Sequence, residues 1–332
     1  MSDTQTDGKG KTGLRTGSQA LSLLSVPLNV QVIRTLEDRS TSLIDLRRAV
    51  GSPPQTTMCG HLKVLTELGI LERRRLSGFP GPVDYALRRP GVELCTVADV
   101  VQAWLDEAPS GRLQLGSAAA KSMLRALVDG WVTNIVRALC AKQLSLTELN
   151  SLIPSISYPS LERRVTAMRL AGQIQGQRGV GRSTPYVVST WLRRAVAPLV
   201  TAMRWEQHYV KEQSAPPTRL DAEAILLLLG PLLRLDAGAD GACRLVFEMG
   251  HGENQRLSGV TVVLRGGRPT SCLARLDVAS NASASGSPGA WFDAILDGTA
   301  GRLELAGDSG FARNVVEALH GSVGRPSMTS AS

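Results

Sequence analysis

The chain repeats itself, and this repetition constrains its fold more than any other feature of the sequence. When the sequence is shifted by 103 residues, apolar, hydroxyl and acidic positions fall on positions of the same kind. The matched segments are 32–36 with 135–139, 42–46 with 145–149, 85–87 with 186–188 after a two-residue adjustment, and Trp104 with Trp205. The register holds for about 80 residues, which indicates two copies of one supersecondary unit.

Each copy has the pattern helix, helix, helix, hairpin, helix. Apolar residues at helical spacing predict a first helix, and Ser-x-x-Asp or Ser-x-x-Glu predicts a capped second helix at Ser42 and Ser145. A third helix ends at a glycine, and two strands and a closing helix follow. The predicted ranges are 28–38, 55–68, 70–76 and 83–88 with a helix near Trp104, and 131–142, 158–171, 173–178 and 185–189 with a helix near Trp205. This order is the plan of a winged helix-turn-helix unit.

Both copies resemble the HxlR-type family of winged helix-turn-helix transcriptional regulators, which is related to the MarR group. The resemblance covers roughly residues 20–107 and 118–210. The residues that carry it are Gly130-Trp131, Ile156-Ser157 and the wing pattern Tyr85-x-Leu87-x-x-x-Gly91-x-Glu93-Leu94. Family members usually contain one unit and bind DNA as homodimers. Two units in one chain therefore imply a fused dimer, acting as a monomeric pseudo-dimer or as a homodimer.

The two copies have diverged from each other. The first has Pro27-Leu28 and Pro53-Pro54 where the second has Gly130-Trp131 and Ile156-Ser157. The second copy also lacks the glycine and glutamate that follow the wing tyrosine of the first. The two halves of a DNA site bound by this chain need not be identical in sequence.

Residues from about 219 onward have a different pattern. It predicts strands at 245–247, 259–264 and 273–278, a mobile Ser/Ala/Gly-rich loop at 279–289, a helix at 290–298, a strand at 301–308 and a helix at 311–319. The order, and above all its ending of strand, Gly307-Asp308 turn and amphipathic helix, resembles the sterol-carrier-protein fold. That resemblance implies a cavity for a hydrophobic small molecule. The candidate lining residues, which an ordinary core would also contain, are Phe247, Val262, Leu264, Leu276, Trp291, Phe292, Ile295 and Leu296.

We therefore expect a mainly α chain with an α+β C-terminal domain: tandem winged helix-turn-helix units followed by a sterol-carrier-protein-like α/β domain. The expected parts are a flexible N-terminal arm (1–17), the first copy (18–109), the second copy (110–212), a Pro-rich linker (213–219), the C-terminal segment (220–324) and a flexible tail (325–332).

The net charge of +8 is concentrated in the middle of the chain. Residues 110–218 contain 14 Lys and Arg against 5 Asp and Glu, an excess of +9, whereas residues 219–332 have a net charge of −2. A local basic excess suits a polyanionic partner, here double-stranded DNA. The third helices supply the candidate DNA-binding residues Gln55, Thr56, Thr57, Gly60, His61 and Lys63, and Ser157, Tyr158, Ser160, Arg163 and Arg164. Ser157 is the expected N-cap, and one of the last two arginines is expected to contact DNA while the other packs against the first helix.

The predicted wings add Arg73, Arg74, Arg75, Arg178 and Arg182 as candidates for backbone or minor-groove contacts. Alternation along a strand turns Arg74 away from its two neighbours, so either the outer pair or Arg74 alone could contact DNA. A run of arginines is also common on a solvated strand edge.

Other function classes find little support in the sequence. No apolar run reaches the ~20 residues of a membrane span. The four histidines are far apart and no catalytic, cofactor or metal motif is present, so we predict no enzyme and no metal site. Five scattered cysteines without a C-x-x-C pair predict reduced thiols in a cytoplasm. The sequence favours a transcriptional regulator, a repressor, that senses a hydrophobic effector. The alternative is a carrier or resistance protein that sequesters a hydrophobic metabolite.

Overall fold

The computed structural model describes residues 18–75, 83–128, 130–177, 184–210, 218–250 and 255–323. The expected N-terminal arm, most of the expected linker and the expected tail lie outside the described residues. The first copy contains α1 (Ser18–Leu24), α2 (Pro27–Thr35), β1 (Thr41–Ser42), α3 (Leu43–Ala49), α4 (Gln55–Glu67), β2 (Leu71–Arg75), β3 (Val83–Leu87) and α5 (Arg89–Asp106). Its strands form an antiparallel sheet in the order β1-β3-β2.

The same order of elements recurs in the second copy. It contains α6 (Ala118–Val128), α7 (Gly130–Ala141), α8 (Leu146–Leu152), α9 (Tyr158–Leu170), β4 (Ile174–Gly176), β5 (Tyr186–Val188), α10 (Thr190–Arg194) and α11 (Val196–Tyr209). An isolated antiparallel bridge joins Leu144 to Tyr186 at the place where Thr41 of β1 pairs with Tyr85 in the first copy. The repeat in the sequence is therefore a repeat in the backbone pairing as well.

The closing helix differs between the copies, which corrects the expectation of one such helix in each. In the first copy α5 is continuous, whereas in the second α10 and α11 are separated at Ala195. Pro198 has no N–H and cannot bond to the carbonyl of Arg194 one turn earlier, so the helical hydrogen bonding is interrupted there. The corresponding residue of the first copy is Val97, which carries no such restriction.

Both predicted starts of the second helix are capped. The Ser145 hydroxyl accepts a bond from the Glu148 N–H at 3.3 Å, and the Glu148 carboxylate accepts from the Ser145 N–H at 2.8 Å, a complete capping box. In the first copy the Ser42 hydroxyl accepts from the Asp45 N–H at 3.2 Å. There the Asp45 carboxylate accepts from the Ser42 hydroxyl rather than from its backbone, so only half of the box is present.

The C-terminal segment is a five-stranded sheet covered by helices. It contains α12 (Arg219–Leu229), a 3-10 turn (Gly230–Leu232), β6 (Gly241–Met249), β7 (Arg256–Arg265), β8 (Arg268–Leu273), β9 (Ala282–Gly286), α13 (Pro288–Asp297), a second 3-10 turn (Ala300–Arg302), β10 (Glu304–Gly307) and α14 (Ser309–Val323). The strand order is β10-β9-β6-β7-β8, with β6 and β9 parallel and the other pairs antiparallel.

Two expectations for this segment are wrong. The third strand does not run over 273–278, because β8 ends at Leu273. The stretch 279–289, expected to be a mobile loop, contains the internal strand β9. Its alternate residues Ala282, Ala284 and Gly286 are buried, and a Cβ on Gly286 would approach the Leu303 side chain to 2.7 Å. Small residues are needed at this crowded place, and they gave the strand the composition of a loop.

Helix α12 joins the C-terminal segment to the second copy. Residues 222–229 are all buried, because α12 packs between α7 on one side and β7 on the other. The side chain of Glu223, 1% exposed, lies between Arg137 of α7 and Arg219. A second contact joins the C-terminal segment to the second copy, since α13 packs on α11 and Arg204 Nη1 lies 2.5 Å from Asp297 Oδ2. Together with the contact of α10 with α12, these contacts attach the C-terminal segment to α7, α10 and α11 of the second copy.

Candidate nucleic-acid interface

Helix α4 presents a polar face to solvent, and the sequence explains which face is buried. Met58, Leu62 and Leu65 recur at helical spacing and are at most 1% exposed, so they hold α4 against the core. Between them, the exposed predicted residues are Gln55, Thr56, Thr57, Gly60 and Lys63. Cys59 is exposed on the same helix and was not among the predicted residues.

The predicted residue His61 has a different place from its neighbours. It is half-buried, and its Nδ1 lies 2.9 Å from Asn29 Oδ1 on α2. Asn29 is itself buried and donates its amide to the Leu23 carbonyl at 3.1 Å. These bonds fix His61 between α4 and the first part of the copy, so its ring is tied to the protein rather than directed only to solvent.

Helix α9 has the same division of faces and more positive charge. Leu161, Val165 and Met168 are buried, whereas Ser157, Tyr158 and Arg163 are exposed and Ser160 is half-buried. Arg164 is also half-buried, and it corresponds in the repeat to His61. The same position of both helices therefore lies at the edge of the core, while Arg163 next to it faces solvent.

Ser157 does occupy the N-cap position of α9, but its side chain does not cap the helix. A capping hydroxyl accepts from the N–H of the second or third helical residue, and the second residue here is Pro159, which has no N–H. The Ser157 hydroxyl instead donates to the Ser160 hydroxyl at 3.0 Å. The expected capping role of this side chain is corrected accordingly.

The wing arginines are only partly described. Arg73 and Arg74 are exposed on β2, opposite Tyr85 and Asp84 of β3. Arg74 also forms an ion pair with Glu72 two residues earlier on the same strand, so its charge is partly balanced within the sheet. Arg75 ends β2, and Arg178 and Arg182 lie outside the described residues.

A concave site beside α4 was missed by the sequence reasoning. It has a volume of about 250 Å³ and lies between α3 and the start of α4. Its lining residues are Leu43, Ile44, Arg47, Arg48, Ser52 and Gln55. Two of them are arginines of α3, which a search confined to the third helix of each copy does not reach.

The two copies contact each other through a pair of stacked tryptophans. The rings of Trp104 and Trp191 are 4.4 Å apart between centroids with planes within 4°. Each indole N–H donates to the backbone carbonyl of the other residue, at 3.0 Å and 2.9 Å. A third indole, that of Trp205, donates to the Pro90 carbonyl at 2.8 Å.

These contacts obey a two-fold relationship. A shift of 101 residues takes Trp104 to Trp205 and Pro90 to Trp191. The bond from Trp104 to residue 191 is therefore the symmetry counterpart of the bond from Trp205 to residue 90. Reciprocal contacts of this kind are the signature of an isologous interface between two like subunits. Here both halves of the interface belong to one chain.

A second pair of contacts follows the same relationship. Arg194 Nη1 lies 2.5 Å from Glu107 Oε2, and the same shift relates these residues to Glu93 and His208, which also face each other across the two copies. Partial burial opposes ionisation of Glu93, but hydrogen bonds from Tyr209 and Arg89 prevail and lower the pKa of its carboxyl group. The Glu93 carboxylate is thus held charged beside the interface of the two copies.

The predicted ligand-lining residues of the C-terminal segment pack on one another. Phe247 lies 5.4 Å from Trp291 and 6.5 Å from Phe292 between ring centroids, and the Trp291 indole donates to the Val246 carbonyl at 2.7 Å. Val262, Leu264 and Ile295 are also fully buried, whereas Leu276 and Leu296 are half-buried. A concave site of about 240 Å³ lies elsewhere, at the junction with the second copy. It is lined by Cys140, Ala141, Pro231, Pro269, Thr270, Ser271, Cys272 and Leu273.

Comparison with known families bears on the first copy. Residues 27–110 match the HxlR-like helix-turn-helix family. The match begins at the first residue of α2 and includes α3, α4, the hairpin and α5. It confirms the expected resemblance for this part of the chain, and it indicates a DNA-binding domain of a transcription-regulator family. No curated protein matches the chain.

None of the helices in the described residues is long and apolar enough to cross a membrane. In the same ranges, no group of three or more His, Cys, Asp or Glu side chains is placed to hold a metal ion.

Proposed function

We propose that the protein is a transcriptional repressor that binds duplex DNA as one chain, through two winged helix-turn-helix units at residues 18–109 and 110–212. The observation that carries the proposal is the reciprocal contact of Trp104 and Trp205 with residues 191 and 90. The HxlR-like match of 27–110 supports DNA binding by the first copy, and the repeat extends the expectation to the second. A two-fold related pair of units suits a pseudo-palindromic site.

The first test combines footprinting of the DNA with a measurement of the number of chains bound to each duplex. Half-sites of a helix-turn-helix dimer lie about one helical turn apart, ~34 Å between centres. We expect a single chain to protect two such half-sites, with one chain per duplex by sedimentation. Two chains per duplex, or protection of a single groove by one chain, would contradict the internal pseudo-dimer.

The second test separates regulator from carrier. A protein that neutralises backbone phosphates loses affinity steeply as salt increases, because counterions are no longer released with the same gain. Arg163→Ala, which removes an exposed arginine of α9, should weaken specific binding by about 5- to 150-fold, as expected for 1–3 kcal/mol from one base contact. Arg313→Ala, which removes an exposed arginine of α14, is the matched control and should leave binding unchanged. Salt-insensitive or absent DNA binding would favour the carrier.

The C-terminal segment is proposed to sense a hydrophobic small molecule. Its ending of strand β10, Asp308 and helix α14 supports the resemblance to the sterol-carrier-protein fold. Gly307 at this turn has φ +70°, and a Cβ there would approach the Asn281 carbonyl oxygen to 2.3 Å, which explains why the position is a glycine. Because the aromatic side chains fill the core, an apolar ligand has to displace them to enter. Titration with a long-chain fatty acid should therefore change the fluorescence of wild type more than that of Trp291→Phe. Equal changes would place the ligand elsewhere.

A further inference from the structure

The concave site between α3 and α4 has the composition of an anion site. Arg47, Arg48, Ser52 and Gln55 bring two guanidinium groups, a hydroxyl and an amide to one cavity of about 250 Å³. Guanidinium groups match phosphate oxygens in geometry as well as in charge. The side chains of Leu43 and Ile44 form the apolar remainder of the wall. Ile44 is 71% exposed, and Gln55, which also lines the cavity, is the first residue of the polar face of α4.

Arg47 is held in place by the turn between the two helices. Its Nε donates to the Pro53 carbonyl at 2.7 Å. Within the described parts of the chain no other partner takes its remaining donors, which stay available for a ligand. The turn itself is unusual, since Ser52 has φ +52°, the one positive value of a non-glycine residue in the described ranges. Such a conformation costs on the order of 1–3 kcal/mol and persists only where the surroundings hold it.

Arg48 is the more exposed donor of the cavity. Its side chain is 76% exposed, and among the described residues its ion pair is with the Asp45 carboxylate at 3.5 Å, a long surface pair of small energy. The Asp45 carboxylate also accepts from the Ser42 hydroxyl at 2.8 Å. An incoming phosphate can therefore compete for Arg48 at little cost.

The second copy has no counterpart of these charges. The repeat places Asn150 and Ser151 where the first copy has Arg47 and Arg48, and α8 contains no Lys or Arg. The positive charge lies instead on α9, whose arginines replace uncharged or histidine positions of α4. The corresponding pairs are Arg163 with Gly60, Arg164 with His61 and Arg169 with Thr66.

We propose that the cavity of the first copy binds a phosphate of the DNA backbone, so that this copy anchors the duplex while the second copy selects its sequence. The inference rests on the proposed DNA-binding function. A phosphate contact carries no base information, whereas exposed arginines of a third helix, such as Arg163 of α9, can reach base edges. The half-site under the second copy should therefore be the more restricted in sequence.

The test compares Arg48→Ala with Ser151→Ala, its matched control in the second copy. Arg48 is exposed, so its loss should leave the fold intact, which the melting temperature checks. Each phosphate contact contributes about 0.9 to the slope of log affinity against log salt, so wild type should lose about threefold more affinity than Arg48→Ala between about 50 and 200 mM salt. The weakening should be equal on a selected site and on random duplex, and Ser151→Ala should behave as wild type.

Two further variants distinguish a phosphate contact in the first copy from base recognition by the second copy. Arg47→Lys retains the charge but not the bond to Pro53, and it should retain the salt slope if the charge is what binds. Arg163→Ala should change the base preference of one half-site in a selection from a random pool. An unchanged slope in Arg48→Ala, or a change of base preference in it, would overturn the inference although wild type binds DNA. Failure of wild type to bind any duplex would instead overturn the proposed function.

Discussion

A buried amide in the second copy offers a direct test of the structural repeat. Gln173 is 0% exposed, and neither Nε2 nor Oε1 has a hydrogen-bond partner among the described residues. The repeat places Ile70 at this position of the first copy, also 0% exposed. We predict that Gln173→Ile stabilises the protein, because it replaces an unpaired polar group by the apolar side chain that the same environment already accepts.

The backbone surroundings of the two residues are equivalent. The Ile70 N–H donates to the Leu65 carbonyl and the Gln173 N–H to the Met168 carbonyl, both at 2.9 Å. The backbone carbonyls of Ile70 and Gln173 each accept a hydrogen bond from the N–H of the residue that follows the second strand of their hairpin, at 3.0 Å and 2.9 Å, respectively. The substitution therefore changes the side chain alone, in a place whose hydrogen bonds do not depend on it.

The magnitude follows from the cost of an unsatisfied buried group, about 1–3 kcal/mol. Burying a glutamine also costs somewhat more side-chain entropy than burying an isoleucine, which acts in the same direction. Exchange of the backbone amides at 173 and 189 should slow by roughly 5- to 150-fold, since 1.4 kcal/mol corresponds to a factor of ten. Hydrogen exchange measured on peptides covering 168–177 and 184–192, together with urea unfolding of the full chain, gives the comparison.

The matched variant in the first copy, Ile70→Gln, is expected to change the stability in the opposite direction. Ile70→Gln should destabilise the first copy by at least as much, because it creates the unpaired amide and also removes apolar burial. The reasoning would be refuted if Gln173→Ile left exchange and the urea midpoint unchanged or lowered the midpoint. That result would mean that the Gln173 amide has hydrogen-bond partners in solution and that its burial does not lower the stability.

Three further predictions follow from named contacts. Iodoacetamide should modify the exposed Cys59 rapidly in the native protein, and bound duplex should slow this reaction. Cys140 and Cys272 should react slowly, because burial raises the pKa of Cys140 to about 11 and that of Cys272 to about 12 and so keeps both thiols protonated. Trp191→Ala should lower the free energy of unfolding by about 3–5 kcal/mol in urea titration, while Trp191→Phe, which retains the stacking surface, should cost clearly less. Glu223→Gln should lower the free energy of unfolding by about 1.5–3 kcal/mol, because the buried carboxylate forms ion pairs with two arginines. A variant as stable as wild type in urea titration would contradict this.

Local patterns in the sequence were sufficient for most of the helices. Apolar spacing and the Ser-x-x-acid pattern located α3, α4, α8 and α9 to within a few residues, because their signals lie within one or two turns of chain. Strand β9 was missed for the opposite reason. Its alanines and glycine are selected by the helices and side chains that crowd its face, and that pressure comes from residues distant in the sequence.

The candidate site was predictable in part for a similar reason. The exposed face of α4 follows from its own periodicity, whereas the half-burial of His61 depends on Asn29 of another helix. Arg47 and Arg48 carry no motif, and only the turn through Ser52 brings them beside Gln55. The sequence signal that could have found them is the comparison of the copies, since an arginine pair in one stands where the other has an uncharged Asn-Ser pair.

The way the C-terminal segment is attached bears on how an effector could act. A ligand alters DNA affinity only if it binds two arrangements of the protein differently, so it must move something that the reading helices depend on. Arg193 of α10 donates to the Leu227 carbonyl of α12 at 3.2 Å, and two residues earlier on α10 lies Trp191, stacked on Trp104 of the first copy. These two contacts, joined through α10, thus connect α12 to both copies. Deleting the segment would uncover the buried face of α12 on α7 and confuse loss of sensing with loss of stability. Arg193→Ala in the full chain removes one contact of the series, and it should weaken an effector's influence on DNA affinity while leaving the effector bound.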